Sequence, residues 1–259
     1  MIYSMVLNES GGILDDITLG CLDGVYYVVV NASNKGKLLE WFSRWNDYGV
    51  LIEDLEEDYG FIALQGPSCE SVMARVFSVD LSSCKRFSLF ELGIQDSDCV
   101  GFRTGYTGED GFEFLVPKGS VEAVWDRLVQ AGVVCCGLGA RDSLRIEAGL
   151  PLYGQELAED INPLMTRYPW VVKFHKAFIG KEALLDYQSS DLDLVTVGFM
   201  MNDRVVARFG YEIKECELGR VLSGTVSPVL DRSIGMALLP RAFSGSGREI
   251  TILIRGKEF

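Results

Sequence analysis

The apolar residues of this chain change period repeatedly, and that alternation limits the fold more than any other feature. Ile2–Leu7, Ile13–Leu19 and Val25–Val30 are short β-like runs. The first two are joined across Glu9-Ser10-Gly11-Gly12, whose paired glycines supply the positive-φ residues of a tight connection. Leu38, Trp41, Phe42 and Trp45 then recur at i, i+3, i+4 and i+7, which predicts an amphipathic helix ending near Gly49. After an acidic loop at Asp54–Asp58, Phe61–Leu64 returns to strand, and Pro67 suits the first turn of a helix whose buried side is Val72, Met73 and Val76. Strands follow around Cys99–Arg103 and Phe112–Val116, then a helical stripe of Val121, Val124, Trp125, Leu128 and Val129. A short apolar strand, Val133–Cys136, precedes a helix that stops at Gly149 and Pro151. Such strand–helix alternation, with short turns between adjacent strands, predicts an α+β fold.

From about Leu192 the pattern becomes a series of short β-like runs: Val195–Met200, Val206–Ile213, Gly219–Val226, Ile234–Leu239 and Ile250–Ile254. Their spacing predicts a small β-barrel or sandwich. The division expected is therefore residues 1–190 and residues 191–259. There is no internal repeat and no low-complexity stretch.

Composition removes several classes of function. The chain has 259 residues, 48% of them hydrophobic, enough for a large core. No apolar run reaches bilayer length and no signal pattern opens the chain, so a soluble, unexported protein without membrane partners is expected. The seven cysteines are scattered and never spaced as a zinc site requires, which fits free thiols in the cytoplasm. In a eukaryote the mitochondrial matrix would serve as well, although no transit peptide is present. A net charge of −13 opposes nucleic-acid binding. His175 is the only histidine and lies between lysines in Lys173-Phe174-His175-Lys176, a surface setting. A histidine triad or a histidine-rich metal centre is therefore not expected. Carboxylates, hydroxyls or arginines must carry any catalysis.

Four local patterns bear on chemistry. Gly137-Leu138-Gly139-Ala140-Arg141-Asp142 resembles the start of a dinucleotide fingerprint, but Asp142 stands where the third glycine belongs and would repel a pyrophosphate. Thr104–Gly111 reads as a hairpin tip ending in Asp-Gly. Beside it, Tyr106 can stack on a flat ring, and Glu113 is a carboxylate in an otherwise apolar strand. Such a carboxylate suits a ligand presenting adjacent N–H donors, as a pterin or guanine edge does. Asp15 and Asp16 follow Gly11-Gly12-Ile13-Leu14; in a strand they face opposite sides, so one can enter a site while the other is solvated or paired. In the last helix of the first part, Arg141 and Arg145 share a face and Asp142 can pair with Arg145, leaving Arg141 for a ligand's carboxylate or carbonyl.

Taken in order, these stretches resemble the aminomethyltransferases, the T-proteins of the glycine cleavage system. The resemblance is carried by IYSMVLNESGGILDD, ALQGP, RTGYTGEDGFE, GLGARDSLRIEAGLPLYGQE, INP followed by PWVVK, FIGKEAL and SGTVSP. It implies a T-protein-like multi-domain fold with a ferredoxin-like unit and a C-terminal β-barrel. It also implies transfer of an aminomethyl carbon from the lipoyl arm of H-protein to tetrahydrofolate, with release of ammonia. By the same resemblance Asp15 matches the catalytic aspartate, Glu113 the pterin-binding glutamate and Arg141 a ligand-binding arginine. Tyr106, Tyr153 and Trp170 match positions that line the folate cleft, and no metal is implied.

In that family an N-terminal stretch with an Asp-Val-Ser-His-like motif precedes the region that starts here, and a tail continues beyond the position of Phe259. A shortened, inactive homologue therefore stays open, as does a folate-dependent demethylase with another one-carbon donor. A folate-binding, non-catalytic assembly protein would be expected to carry a cysteine in a Lys-Gly-Cys-Tyr-x-Gly-Gln-Glu motif. The matching Gly149–Glu156 has none.

Overall fold

The computed structural model describes residues 1–94, 97–190 and 193–259. The chain divides into two compact units: Met1–Ile2, Leu19–Val28 and Phe42–Arg141 form one, and Tyr3–Thr18, Val29–Trp41 and Asp142–Phe259 form the other. The boundary expected at 190/191, with its change of pattern near 192, falls on residues outside those described.

β1 (Ile2–Leu7), β2 (Ile13–Leu22) and β3 (Val25–Val29) form a three-stranded sheet in that order. The β1–β2 turn is built by Asn8, whose Oδ1 accepts the backbone N–H of Ser10 (3.0 Å) and Gly12 (2.9 Å). Gly11 takes φ +82°, a conformation other residues rarely adopt. Gly12 is required for a different reason: a Cβ there would sit 2.0 Å from the Glu159 carbonyl oxygen. The next residue, Ile13, donates its N–H to Ala158 (3.2 Å) and Ile161 (3.0 Å) and is fully buried. The strand bearing the two aspartates is thus held against the 158–161 backbone.

The helix predicted to end near Gly49 is shorter: α1 spans Lys35–Arg44, and of its stripe only Leu38 is buried. Asn46 accounts for the early stop. Its side chain donates to the Val50 carbonyl (2.7 Å) and accepts the Val50 N–H (2.8 Å), a local bonding pattern that competes with helix.

In the first unit, β4 (Tyr59–Gln65), β5 (Leu89–Ile94), β6 (Ser97–Phe102) and β7 (Gly111–Pro117) form an antiparallel sheet of order β4-β7-β6-β5. Helices α2 (Cys69–Phe77) and α3 (Val121–Gln130) cover one face, the open-faced arrangement expected of a ferredoxin-like unit. Ile62, Leu64, Phe112, Phe114 and Val116 point into that core against Met73, Phe77, Val124 and Leu128. Strand alternation then sends Ala63, Glu113 and Phe102, which pair across the sheet, to the helix-free face. β5 was not expected from the sequence.

The strand expected at Val133–Cys136 does not form. Gly132 takes φ +87° and donates to Val129 (2.9 Å), while Val133 donates to Leu128 (3.1 Å), the bond pair of a Schellman cap closing α3. Val133 is the apolar residue that packs under such a cap, whereas Val134, Cys135 and Cys136 are exposed.

The second unit contains most of α4 (Leu138–Glu147), all of α5 (Lys181–Gln188) and a six-stranded sheet of order β13-β12-β9-β10-β11-β8. Its strands are β8 (Leu194–Met200), β9 (Glu212–Ile213), β10 (Cys216–Ser227), β11 (Arg232–Pro240), β12 (Ile252–Ile254) and β13 (Lys257–Glu258). Of the run expected at Val206–Ile213 only the last two residues form a strand, and the chain turns just before them at Gly210 (φ +83°). One face of the sheet packs Val221, Ala237 and Leu239 among Met201, Ile213 and Ile252. The other packs Leu222 and Leu238 against Ile13, Leu157, Ile161 and Leu184. Burial on both faces explains the unbroken apolar run of β11.

Candidate functional site

In the second unit, β2 delivers the aspartate pair. Asp15 is completely buried and accepts three donors: the Asn31 N–H (3.0 Å), the Asn31 Nδ2 (2.8 Å) and the Asn34 Nδ2 (2.5 Å). Asp16 is only partly buried; it accepts the same Asn31 amide on Oδ1 (2.8 Å) and the Tyr3 hydroxyl on Oδ2 (3.1 Å). One asparagine side chain thus bridges both acids. Burial pushes the Asp16 carboxyl above its ordinary value, the Asn31 bond opposes this, and the charge of Asp15 raises it further. Sequence spacing had one acid entering a site and the other solvated or paired. Instead both belong to one hydrogen-bonded cluster, organised by Asn31 and Asn34, which the sequence reading did not single out.

An aromatic group adjoins Asp16. The Tyr3 ring lies 5.5 Å from Tyr168 and 6.3 Å from Trp170, centroid to centroid. Trp170 is 53% exposed, so it offers a face to solvent. Burial raises the Tyr168 phenol, the nearby Arg167 opposes it, and Asp16 and Glu156 add to the rise. Tyr153 accepts a hydrogen bond from Lys37 Nζ (2.7 Å), which also bonds Glu159 (2.9 Å). Burial pulls the Lys37 ammonium down, but those two partners outweigh it and its pKa is raised.

In the first unit, Glu113 lies on the helix-free face of the sheet. Thr104 donates its hydroxyl to Glu113 Oε2 at 2.5 Å. Burial raises the Glu113 carboxyl, against the lowering effects of Thr104 and the Arg141 charge. Arg141, exposed in the first turns of α4, stacks its guanidinium 4.4 Å from the Tyr106 ring centroid. Arg141 therefore stacks on Tyr106 and acts electrostatically on Glu113.

The other two arginines of these motifs hold structure. Arg103 binds Glu70 and Asp110 at 2.6 Å each, with further bonds to the Leu81 (2.9 Å) and Cys84 (2.6 Å) carbonyls, and so fixes the loop before Gly111. Asp110 is held below the usual carboxylate range by Arg103. Arg145 is fully buried and makes the expected bond to Asp142 (2.8 Å). It also bonds Glu156 (2.7 Å) and Gln155 (2.7 Å), and Glu156 accepts the Ser223 hydroxyl. Gln155 and Glu156 thus serve Arg145. The two arginines share one helical face, where in the sequence only the Asp142 pairing distinguishes Arg145; in the fold Arg145 is buried and Arg141 is exposed.

Among the described residues there is no cluster of three or more metal-ligating side chains, no disulfide joins the seven cysteines, and no helix is long and apolar enough to cross a membrane. His175 is exposed.

Residues 1–176 match the GCVT N-terminal domain model, and residues 195–259 match the glycine cleavage T-protein C-terminal barrel domain model. The chain belongs to the aminomethyltransferase family of the glycine cleavage system. Aminomethyltransferases from Desulforamulus reducens and a Thermoanaerobacter strain are 41% and 39% identical to it, over 99% of this chain and 72% and 73% of theirs. The crystal structure of glycine cleavage system aminomethyltransferase T from Bartonella henselae matches with a TM-score of 0.89 at 34% identity, covering 99% of this chain and 72% of that one. Family membership makes the chain a transferase, and tetrahydrofolate is the co-substrate the family implies.

Proposed function

We propose that this aminomethyltransferase takes the aminomethyl carbon from the lipoyl group of H-protein and passes it to tetrahydrofolate, releasing ammonia and leaving dihydrolipoyl H-protein and methylene-tetrahydrofolate. The observation that carries this reading is the aspartate pair clamped by Asn31, in a family whose reaction develops positive charge on the migrating carbon. As the carbon–nitrogen bond to the departing ammonia breaks, a fixed carboxylate stabilises that charge and handles the proton. No metal and no covalent enzyme intermediate is needed.

Within the pair we assign the reacting role to Asp16, revising the assignment of catalysis to Asp15. Asp15 is sealed from solvent and engaged by three donors, whereas Asp16 is partly exposed beside Tyr3 and its pKa is raised, as suits a general base. Asp15 is then a positioning residue: through Asn31 it fixes Asp16, and its charge helps to raise the Asp16 pKa.

Glu113 is the pterin anchor in this reading. Its burial is offset in the protein by one hydroxyl on Oε2 and by the Arg141 charge, and two parallel N–H donors from a pterin would offset it further. Arg141, presented on Tyr106, takes a carboxylate or carbonyl of the folate. Tyr106, Tyr153 and Trp170 supply ring contacts. Residues 1–190 would form the folate-binding part and 191–259 the barrel, with H-protein as partner and the cytoplasm as location, in keeping with the free thiols.

Calorimetry with tetrahydrofolate followed by turnover with aminomethyl-loaded H-protein tests the proposal. Binding together with ammonia release is expected. Binding without turnover would point to another donor or an inactive homologue, and absence of binding would remove the folate site.

A further inference from the structure

Gln65, the last residue of β4, lies opposite Gly111 in the sheet register. Its Nε2 donates to the Thr104 carbonyl (3.2 Å) and the Phe112 carbonyl (3.3 Å), the two sides of the Arg103–Gly111 loop at its base. Thr104 in turn donates its hydroxyl to Glu113. The Gln65 amide also fills the space beside two glycines: a Cβ on Gly105 would lie 1.7 Å from Oε1, and one on Gly111 2.2 Å from it. Neither glycine has a positive φ, so what excludes a side chain at both positions is the amide rather than the turn. The amide keeps this place although its Oε1 is buried without a hydrogen-bond partner, a cost that an apolar side chain of the same length would avoid.

We propose that Gln65 is a positioning residue for the folate reaction: it sets Glu113 by holding Thr104, and so determines affinity for the pterin without touching the reacting atoms. This rests on the reading of Glu113 as the pterin anchor. One amide bonded to both the Thr104 and the Phe112 carbonyls ties the Thr104 backbone to β7, and that fixes where the Thr104 hydroxyl meets Glu113. Releasing the amide weakens that hydroxyl bond, which lowers the Glu113 pKa, so release raises it.

Three variants isolate the effect. Gln65→Met keeps length and removes the donors. Gly105→Ala leaves Gln65 in the chain but pushes its amide out of the slot, since a flexible side-chain end yields to a new Cβ more cheaply than backbone does. Gln65→Ala empties the slot, so adding Gly105→Ala to it should cost nothing more, a non-additivity that marks a shared mechanism. Gln65→Met and Gly105→Ala should each raise the KM for tetrahydrofolate about tenfold, the loss of roughly one well-placed hydrogen bond, with kcat at saturation unchanged. In the ligand-free protein, carboxyl-carbon NMR should show Glu113 titrating at higher pH in both variants. That readout needs no folate, so it judges the Gln65–Thr104–Glu113 linkage even if the wild-type protein binds no tetrahydrofolate, a result that would instead sink the pterin reading. An unmoved Glu113 titration, an unchanged KM in either variant, or additive effects in the double variant would reduce Gln65 to a packing residue and overturn the proposal.

Discussion

The two carboxylate clusters hold their acids by opposite means. Asp15 and Asp16 are held by amide donors from Asn31 and Asn34, which leave one acid sealed and the other facing Tyr3. Glu113 is held by a single hydroxyl and a nearby guanidinium on an otherwise apolar sheet face. Donor-rich packing fixes a charge in position, as a group acting on a reacting carbon requires. Donor-poor packing leaves a carboxylate that gains by meeting a ligand's N–H groups, as an anchor requires. On the proposed roles the difference separates catalysis from binding, and variants in each cluster should show it in different kinetic constants.

The largest effect is expected at Asp16. Asp16→Asn should lower kcat by roughly a thousandfold or more, the scale of losing a charge that acts on a transition state, while tetrahydrofolate still binds. Asp15→Asn places an amide against the Asn31 and Asn34 donors. It should lower thermal stability by about 1–3 kcal/mol and lower kcat less than Asp16→Asn does. With the Asp15 charge gone, the acid limb of the kcat–pH profile should also move to lower pH, because that charge helps to raise Asp16. Near-normal turnover by Asp16→Asn, with Asp15→Asn dead but stable, would reverse the two roles.

Glu113→Gln comes next. It should raise the KM for tetrahydrofolate by about 10- to 100-fold, the value of a charge-assisted bond pair, with little change in kcat. A fall in kcat at saturating folate would place Glu113 among the catalytic groups and erase the contrast between the clusters.

The titration of the two acids gives a smaller effect. Asp16 and Glu113 both have pKa values raised above 3.8 and 4.5, so between those values and the raised ones the folded protein binds more protons than the unfolded chain. Stability contributed by these two groups therefore falls as pH rises through that window. Asp110 has the opposite sign: Arg103 lowers its pKa, so its contribution is present above 3.8 and lost as pH falls through the folded value. Melting temperatures of the wild-type protein, Asp16→Asn and Glu113→Gln across this range separate the terms. The variants should lose less stability than the wild type as pH rises, and parallel curves would contradict the raised pKa values.

Much of this was legible in the sequence where local chemistry decides the outcome. Gly11-Gly12 announced the β1–β2 turn, the period of Val124 and Leu128 announced α3, and the alternation of β7 announced that Glu113 leaves the apolar core side of its strand. Legibility failed where tertiary partners decide. Asn31 and Asn34 are ordinary polar residues until folding sets both on Asp15, which lies 16 and 19 positions earlier. Val133 carries the same apolar signal in a Schellman cap as in a strand, and the helix of Leu38 and Trp41 stops early because the Asn46 side chain bonds Val50. The six-stranded sheet was read well in β8, β10 and β11, the last of which is buried on both faces and carries a long apolar run. It was read poorly at β9, a strand of only two residues.

The smallest effect tests the cation of the anchoring cluster. Arg141 presents a planar guanidinium 4.4 Å from the Tyr106 ring centroid, a stack that a lysine ammonium cannot reproduce while keeping two parallel donors for a ligand carboxylate. Arg141→Lys keeps the charge, so the electrostatic lowering of Glu113 should persist and its titration should stay in place. What is lost is the stack and the fork, about 0.5–1 kcal/mol at an exposed site, or a two- to fivefold rise in the KM for tetrahydrofolate. Arg141→Met removes the charge as well and should shift the Glu113 titration upward. If the lysine variant moves that titration as far as the methionine variant does, the guanidinium acts on Glu113 through its geometry. If neither variant changes the KM, Arg141 takes no part in holding the folate, and Glu113 with its Thr104 hydroxyl is the anchor alone.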